Sequence, residues 1–237
     1  MSSEHPLPDS SGPPVDKPEV VWHDSLIDRK ARETRQGHRG AVVWLTGLSG
    51  CGKSTIAHLI DARLHAGGYR SYVLDGDNIR HGLNAGPDRL AHLGVEYARR
   101  FGLGFSPEDR RENIRRIAAV AALFADAGVI TIVAFVSPYR EDRNAAREAI
   151  ETSGRPGDFV EVFVDAPLEV CESRDPKGLY KKARRGEIRG FTGVDAPYEP
   201  PLQPDVHLLS HKRTPEELAE QVIAFLRQAH IIPKTTG

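Results

Sequence analysis

The sequence has 237 residues, of which 39% are hydrophobic and 27% charged, and its formal net charge is -1. This length and composition predict one domain with a sizeable core, and the balanced charge provides no basic field for nucleic acid or an anionic membrane. There are two cysteines, no apolar run of about 18 residues and no signal-peptide pattern. We therefore expect a soluble cytoplasmic protein without a disulfide framework and without a membrane partner.

The N-terminal residues predict no packed structure. Five prolines stand among serine, glycine and aspartate in residues 1–18, with almost nothing apolar to bury. Ordering such a segment costs conformational entropy without an offsetting hydrophobic gain. We expect a disordered tail at 1–18 and a folded domain over 19–237. Residues 20–40 are polar and basic and predict a short helix that leads into the first strand.

A glycine-rich turn follows the first apolar run. Residues 42–46 are mostly apolar, residues 47–55 read GLSGCGKST, and a helical pattern comes next. This order matches the phosphate-binding P-loop, GxxxxGK[ST]. Glycine lets backbone N–H groups turn toward an anion, Lys53 can reach the β- and γ-phosphates, and Ser54 can offer its hydroxyl to Mg²⁺. The alternative, a chance turn between strand and helix, is disfavoured because strand, loop, Lys-Ser pair and helix are all present.

We therefore expect a nucleoside triphosphate and Mg²⁺ to bind at this loop. The expected nucleotide-binding residues are Gly47, Leu48, Ser49, Gly50, Cys51, Gly52, Lys53, Ser54 and Thr55.

An acidic turn follows the second predicted strand. Residues 71–74 read SYVL and lead into Asp75-Gly76-Asp77-Asn78. In open α/β sheets, ligands bind beyond the carboxyl ends of strands, where both this turn and the P-loop lie. An Asp-Gly turn is common by itself. Its position after the second strand of a P-loop domain nevertheless favours a functional role near Mg²⁺ and the γ-phosphate.

The rest of the chain alternates helices with strands. Ser106 and Pro107 are typical of a helix start, and strands are predicted at 129–136, 159–164 and 206–209. Further helices are predicted up to residue 150, from Pro167 and from Pro215. The pattern predicts an α/β P-loop NTPase fold, a mostly parallel β-sheet with helices on both faces. Residues 175–204 are basic and turn-rich and predict a lid over the phosphates, although a solvated loop fits their composition equally well.

Six stretches resemble the adenylylsulfate kinase (APS kinase) family of sulfate assimilation. They are residues 47–55, 75–84, 104–116, 134–140, 175–186 and 191–201, and the likeness covers nearly all of the chain except the tail. The resemblance implies transfer of the γ-phosphate of ATP to the 3′-hydroxyl of adenosine 5′-phosphosulfate (APS). The products would be 3′-phosphoadenosine 5′-phosphosulfate (PAPS) and ADP. The resemblance also implies a homodimer.

The same resemblance assigns roles to single residues. Those expected to be catalytic are Lys53, Asp75, Asp77 and Ser137. Asp77 is favoured as the residue that orients or deprotonates the 3′-hydroxyl, and it would share the metal with Ser54. The expected APS-binding residues are Arg80, Asn84, Phe105, Arg110, Asn113, Ser137, Lys181, Lys182, Arg184 and Phe191. Phe105 and Phe191 would enclose the adenine, and the three cations from 181 to 184 would belong to the lid. We expect Ser137 to position substrate rather than carry the phosphate, since no base lies next to it in the sequence.

Two features depart from the family pattern. Residues 85–102 form an insertion where the family has a couple of residues. Within it Leu90, Leu93, Tyr97 and Phe101 fall at helical spacing, which predicts a packed helix or hairpin. Cys51 stands where the family commonly has serine. Its thiol lies either beside the phosphates, where alkylation would inactivate the enzyme, or away from them inside the fold, whereas Cys171 is expected to be a packing residue.

Three other functions fit parts of the sequence. A nucleoside or sugar kinase would keep Lys53 and the lid but should lack the signatures at 75–84 and 191–201. A regulatory GTPase would need an Asn-Lys-x-Asp stretch, which the sequence lacks. A catalytically silent APS-binding module is expected to have lost Lys53 or Asp77, and both are present.

Overall fold

The computed structural model describes residues 20–21, 23 and 25–234. The strands are β1 Ala41–Thr46, β2 Ser71–Asp75, β3 Ile130–Ala134, β4 Phe159–Asp165 and β5 Val206–Leu209. The helices are α1 Arg29–Gln36, α2 Lys53–Ala66, α3 Gly76–Ile79, α4 Pro87–Leu90, α5 Val95–Phe101, α6 Pro107–Asp126, α7 Arg140–Ser153, α8 Leu168–Arg174, α9 Leu179–Arg184 and α10 Pro215–Gln228, with a 3₁₀ turn at Ala91–Leu93. The predicted tail at 1–18 lies outside the described residues.

The strands form one parallel sheet in the order β2-β3-β1-β4-β5. Strand β1 lies at the centre and is buried along its whole length. Because side chains alternate along a strand, Val43 and Leu45 pack against α2 and α10, whereas Val42 and Trp44 pack against α6 and α7. The predicted fold, a parallel sheet covered by helices on both faces, is confirmed.

The parallel arrangement decides where the site lies. The carboxyl ends of parallel strands meet at one edge of a sheet, and the segments that leave this edge are the usual place for ligands. The P-loop follows β1, Asp75 ends β2, Ser137 follows β3, and residues 175–204 follow β4 and α8. The edge therefore collects residues that are up to about 150 positions apart in the chain.

Several local features differ from the sequence pattern. The predicted strand at 129–136 ends at Ala134, because the chain bends toward Ser137. The acidic turn at 75–78 is the start of the short helix α3, and the Asp75 carboxylate caps it by accepting a hydrogen bond from the Asp77 amide.

The helix starts at Ser106 and Thr214 are confirmed, and both carry a complete capping box.

The insertion at 85–102 is helical, as predicted, but most of its large apolar side chains are partly exposed. The amide of Leu103 donates to the Ala85 carbonyl at 3.0 Å and closes the base of the insertion. The side chains of Leu93, Tyr97 and Phe101 are between 42% and 52% exposed. Tyr97 and Phe101 pack on each other instead, with ring centroids 4.6 Å apart. The predicted packed helical insertion is therefore present: α4, α5 and the 3₁₀ turn pack mainly against one another, which leaves much of the apolar stripe exposed.

Among the described residues, no helix is both long enough and apolar enough to cross a membrane.

Candidate active site

The P-loop connects β1 to α2 and holds its lysine in place. A Cβ at position 47 would lie 2.3 Å from the Val164 carbonyl oxygen, so glycine is required for the loop to pass the end of β4. Lys53 is 8% exposed. Its Nζ donates to the carbonyls of Gly47 at 2.9 Å and Leu48 at 2.7 Å. The amine is thus held inside the loop, where phosphate oxygens could replace the two carbonyls as acceptors.

The side chain of Cys51 points into the fold. It is fully buried in the core, and its Sγ lies 3.7 Å from Lys53 Nζ. Cys171 is also fully buried, and burial raises the pKa of its thiol to about 11. Of the two sequence hypotheses for Cys51, the geometry supports the inward-facing thiol. Cys171 is a packing residue, as expected.

The two acidic residues after β2 have different surroundings. Asp75 is 6% exposed and accepts a hydrogen bond from Ser54 Oγ at 2.6 Å and another from the Asp77 amide at 2.9 Å. The side chain of Asp77 is 63% exposed and forms an ion pair with Lys177, which lies in the predicted lid. The structure therefore places Asp75, rather than Asp77, beside the P-loop hydroxyl.

Arg80 and Arg110 lie beside the same segment, residues 103–105. Arg80 donates to the carbonyls of Leu103 and Gly104 and lies over the Phe105 ring, 4.1 Å from its centroid. Burial lowers the pKa of Arg80, and the neighbouring charge of Arg110 lowers it further. Two neighbouring guanidinium groups suit an anionic ligand, because arginine binds phosphate-like groups through pairs of hydrogen bonds.

Arg110 also connects this region to the predicted lid. Its guanidinium donates to the Phe105 carbonyl, the Gly190 carbonyl and the Thr192 hydroxyl. Phe191, between the last two, packs edge-on against Tyr180 with ring centroids 5.0 Å apart. The two aromatic residues expected to enclose an adenine therefore flank the same arginine.

Asn84 and Asn113 form a buried pair. The Asn84 amide donates to Asn113 Oδ1 at 2.9 Å, and the Asn84 side chain is fully buried. Asn84 Oδ1 lacks a partner among the described residues. Asn84 thus contacts Asn113, and Asn113 lies one helical turn beyond Arg110 on α6.

The predicted lid contacts the P-loop through Tyr180, whose hydroxyl donates to the Ser49 carbonyl at 3.0 Å. Lys181 and Lys182 are exposed on α9. Arg184 forms an ion pair with Glu172. The cationic residues of this segment are therefore on its outer surface, and the segment touches the phosphate-binding loop.

Ser137 has a strained backbone. Its φ is 40°, a left-handed value that is unfavourable for residues with a Cβ. The indole N–H of Trp44 donates to Ser137 Oγ at 3.1 Å, and Arg143 donates to its carbonyl at 2.7 Å. The described residues place no histidine or carboxylate in hydrogen-bond contact with the hydroxyl. Sequence reasoning missed Trp44 and Arg143, since one resembles an ordinary core residue and the other an ordinary charge on a helix.

These parts define the class of protein. A phosphate-binding loop at the centre of a parallel sheet, a carboxylate beside the loop hydroxyl and a cluster of arginines on the same edge are the parts of a P-loop kinase. The Adenylylsulphate kinase family profile matches residues 39–209. The chain belongs to this family.

Individual relatives are similar over most of this chain. An adenylyl-sulfate kinase of Rhodopirellula baltica is 53% identical over 220 residues, which cover 92% of this chain and 89% of that protein. The structure of the Mycobacterium tuberculosis APS kinase in complex with AMPPNP and APS is 49% identical, with a TM-score of 0.71, and the match covers 80% of this chain and 99% of that one. A hexameric APS kinase from Thiobacillus denitrificans is 29% identical with a TM-score of 0.58, over 83% of this chain and 30% of that one.

Proposed function

We propose that the protein transfers the γ-phosphate of ATP to the 3′-hydroxyl of APS, giving PAPS and ADP. The observation that carries this proposal is that Lys53 is held in the P-loop, while Arg80 and Arg110 lie together beside residues 103–105. The P-loop lysine suits a triphosphate, and the paired guanidinium groups suit a second anionic substrate. The family membership and the M. tuberculosis relative solved with AMPPNP and APS support the same reaction.

On the nucleotide side, the backbone N–H groups of the P-loop and Lys53 would bind the β- and γ-phosphates. Phosphoryl transfer needs chiefly positioning and charge neutralisation. Lys53 meets both needs, because its Nζ is held at the loop by carbonyl oxygens that a phosphate oxygen can replace. The amine would then stabilise the negative charge that develops as the phosphoryl group moves.

The oxygen atoms beside the P-loop fit a magnesium ion. Ser54 Oγ and the Asp75 carboxylate are 2.6 Å apart, and a hydroxyl and a carboxylate are the hard oxygen ligands that Mg²⁺ prefers. When bound, Mg²⁺ would neutralise charge on the β- and γ-phosphates. From the sequence, we expected Ser54 and Asp77 to bind the metal ion. The contact between Ser54 and Asp75 supports Asp75 for that role.

Asp77 is then available for the acceptor hydroxyl. Its exposed carboxylate lies in the first turn of α3, two residues after Asp75. A carboxylate here can orient the 3′-hydroxyl and accept its proton. The ion pair with Lys177 would have to open for this, so we infer that the approach of APS displaces Lys177 from Asp77.

The acceptor would be held by residues of α3, α6 and the predicted lid. Arg80, Arg110 and Asn113 would contact the phosphosulfate and ribose, and Phe105 and Phe191 would stack on the adenine. Asn84 would act through Asn113, because its side chain is fully buried. Lys181, Lys182 and Arg184 would face the nucleotide when the segment closes.

The test compares acceptors in a coupled assay of ADP release. APS should increase ADP release far above the rate without acceptor, and a panel of nucleosides and sugars should not. ADP release that is no faster with APS than without it would refute the proposal. Faster release with a sugar or nucleoside than with APS would favour another small-molecule kinase.

We propose a homodimer as the assembly. Light scattering coupled to size-exclusion chromatography measures the mass directly against the chain mass of 26.1 kDa. A mass of two chains is expected. Six chains would match the hexameric T. denitrificans relative instead.

A further inference from the structure

Arg143 is a buried arginine that joins three separate segments. It lies on α7 and is 2% exposed. Its Nε donates to Glu161 Oε1 on β4 at 2.8 Å. Its two terminal nitrogens donate to the Ser137 carbonyl at 2.7 Å and to the Glu199 carbonyl at 2.8 Å. One guanidinium therefore spans the sheet, the loop after β3 and the C-terminal end of the predicted lid.

The contact with Ser137 fixes a strained part of the active site. A residue held at positive φ persists only where its surroundings impose that conformation. Arg143 holds the Ser137 carbonyl, Trp44 holds the hydroxyl, and Thr46 Oγ1 donates to the preceding Val136 carbonyl at 2.7 Å. Thr46 also reaches the predicted lid, through the Tyr198 hydroxyl at 3.0 Å. Arg143 differs from Thr46 because its bond to this segment comes from a charged group and goes to the backbone, at the Glu199 carbonyl.

The contact with Glu199 fixes the end of the lid segment. The Glu199 amide donates to the Pro138 carbonyl at 2.9 Å, and the Glu199 carboxylate accepts from the Arg140 amide at 2.9 Å. Together with the Arg143 contact, these bonds lock residues 198–200 against the loop that carries Ser137. A hinge for lid movement must then lie before Glu199.

The geometry needs a guanidinium rather than a positive charge alone. Three acceptors in different directions are reached by three nitrogens of one planar group, and a lysine ammonium at the end of a thinner stem cannot span them. A buried arginine without its partners would also be strongly unfavourable. The full set of contacts is thus a specific property of this side chain.

We propose that Arg143 is a positioning residue for phosphoryl transfer, which sets the position of Ser137 and anchors the C-terminal end of the lid segment. Arg143 acts through these two partners and does not touch substrate. The inference rests on the proposed APS kinase reaction. The nucleotide side, built on the P-loop, is independent of Arg143.

The test compares Arg143→Lys with Arg147→Lys. Arg147 is one turn further along α7 and forms ion pairs with Asp205, with Glu151 and, at 3.9 Å, with the second oxygen of Glu161. Among the described residues, it forms no hydrogen bond to Ser137 or Glu199. Arg143→Lys should lower kcat/KM for APS by about 10–10²-fold, because misplacing a group of the active site by about 1 Å can slow a reaction by as much as about 10²-fold. The dissociation constant for a fluorescent ATP analogue should stay within about twofold of the wild type. Arg147→Lys should change neither quantity.

A spectroscopic measurement follows Ser137 directly. In a Trp22→Phe background Trp44 is the only tryptophan, so its indole N–H gives one resonance in a ¹⁵N spectrum. Arg143→Lys should move this resonance in the direction that Ser137→Ala moves it, and Arg147→Lys should leave it in place. Because this measurement does not depend on turnover, it tests the placement of Ser137 even if APS proves not to be the substrate.

If Arg143→Lys does not fold, the double variant Arg143→Gln/Glu161→Gln takes its place in the same assays. The double variant leaves no unpaired buried carboxylate. Loss of APS turnover with retained nucleotide binding supports the inference. The inference would be overturned by an unmoved Trp44 resonance, by APS turnover equal to that of Arg147→Lys, or by an equal weakening of APS turnover and nucleotide binding.

Discussion

Replacing Asp75 and Asp77 separately should distinguish a residue that stabilises the fold as well as holding the metal from one that acts in catalysis alone. Asp75→Ala leaves the Ser54 hydroxyl and the Asp77 amide without their acceptor. A lost N-cap costs about 1 kcal/mol and a lost hydrogen bond to a carboxylate about 1.5–3 kcal/mol, so the free energy of unfolding should fall by about 2.5–4 kcal/mol. In a chain of this size that is a decrease in Tm of about 5–16 °C.

Asp77→Ala should change stability much less than Asp75→Ala. It removes an exposed ion pair with Lys177, which contributes about 0–1 kcal/mol, so Tm should fall by less than about 4 °C. As the proposed base for the 3′-hydroxyl, however, its loss should lower kcat for APS by about 10²–10⁴-fold. Thermal unfolding and the ADP-release assay measure the two effects on the same preparations. Near-normal turnover of Asp77→Ala, or an unchanged Tm of Asp75→Ala, would refute this assignment.

Four further predictions follow from the described contacts. Lys53→Ala should lower kcat/KM by at least about 10²-fold, since the amine stabilises charge that develops in the transition state; an unchanged rate of ADP release would contradict this. Ser137→Ala should keep part of the turnover, and wild type incubated with γ-labelled ATP alone should retain no label; stoichiometric phosphoserine at Ser137 would overturn the positioning role. Cys51 and Cys171 should resist iodoacetamide in the folded protein, because both thiols are fully buried; peptide mass spectrometry that finds native Cys51 alkylated, with protection by MgATP, would support the outward-facing thiol instead. Burial raises the pKa of Asp142 above its ordinary value of 3.8. The folded state therefore holds this proton more tightly than the unfolded state, and the resulting stabilisation at low pH is lost as pH rises through the raised pKa. Asp142→Asn should therefore gain stability relative to wild type over that pH range in urea unfolding, and a difference independent of pH would exclude this cause.

Much of the architecture could be predicted because it rests on local chemistry. The five strands and the long helices follow from hydrophobic periodicity, and Ser106 and Thr214 mark helix starts because their hydroxyls satisfy backbone N–H groups three residues ahead. The P-loop could be predicted for the same reason, since glycine conformation and the position of Lys53 are properties of one short segment.

The insertion shows where local periodicity is insufficient. Its apolar residues repeat at helical spacing, and helices do form at 87–90 and 95–101. Whether such a stripe is buried depends on what packs against it, and here the helices pack mainly on each other. Periodicity predicts a helix, but burial is a property of the tertiary structure.

The sequence by itself determined the fold class, the phosphate-binding loop and the family of the enzyme, because these depend on residues close together in the chain. Only the tertiary structure decided that Asp75 contacts Ser54 while Asp77 pairs with Lys177, 100 residues away. It also decided that a core tryptophan and a buried arginine hold Ser137 from two other segments. Such contacts depend on how parallel strands bring distant loops to one edge of the sheet, and local sequence patterns do not encode the direction in which each side chain then points.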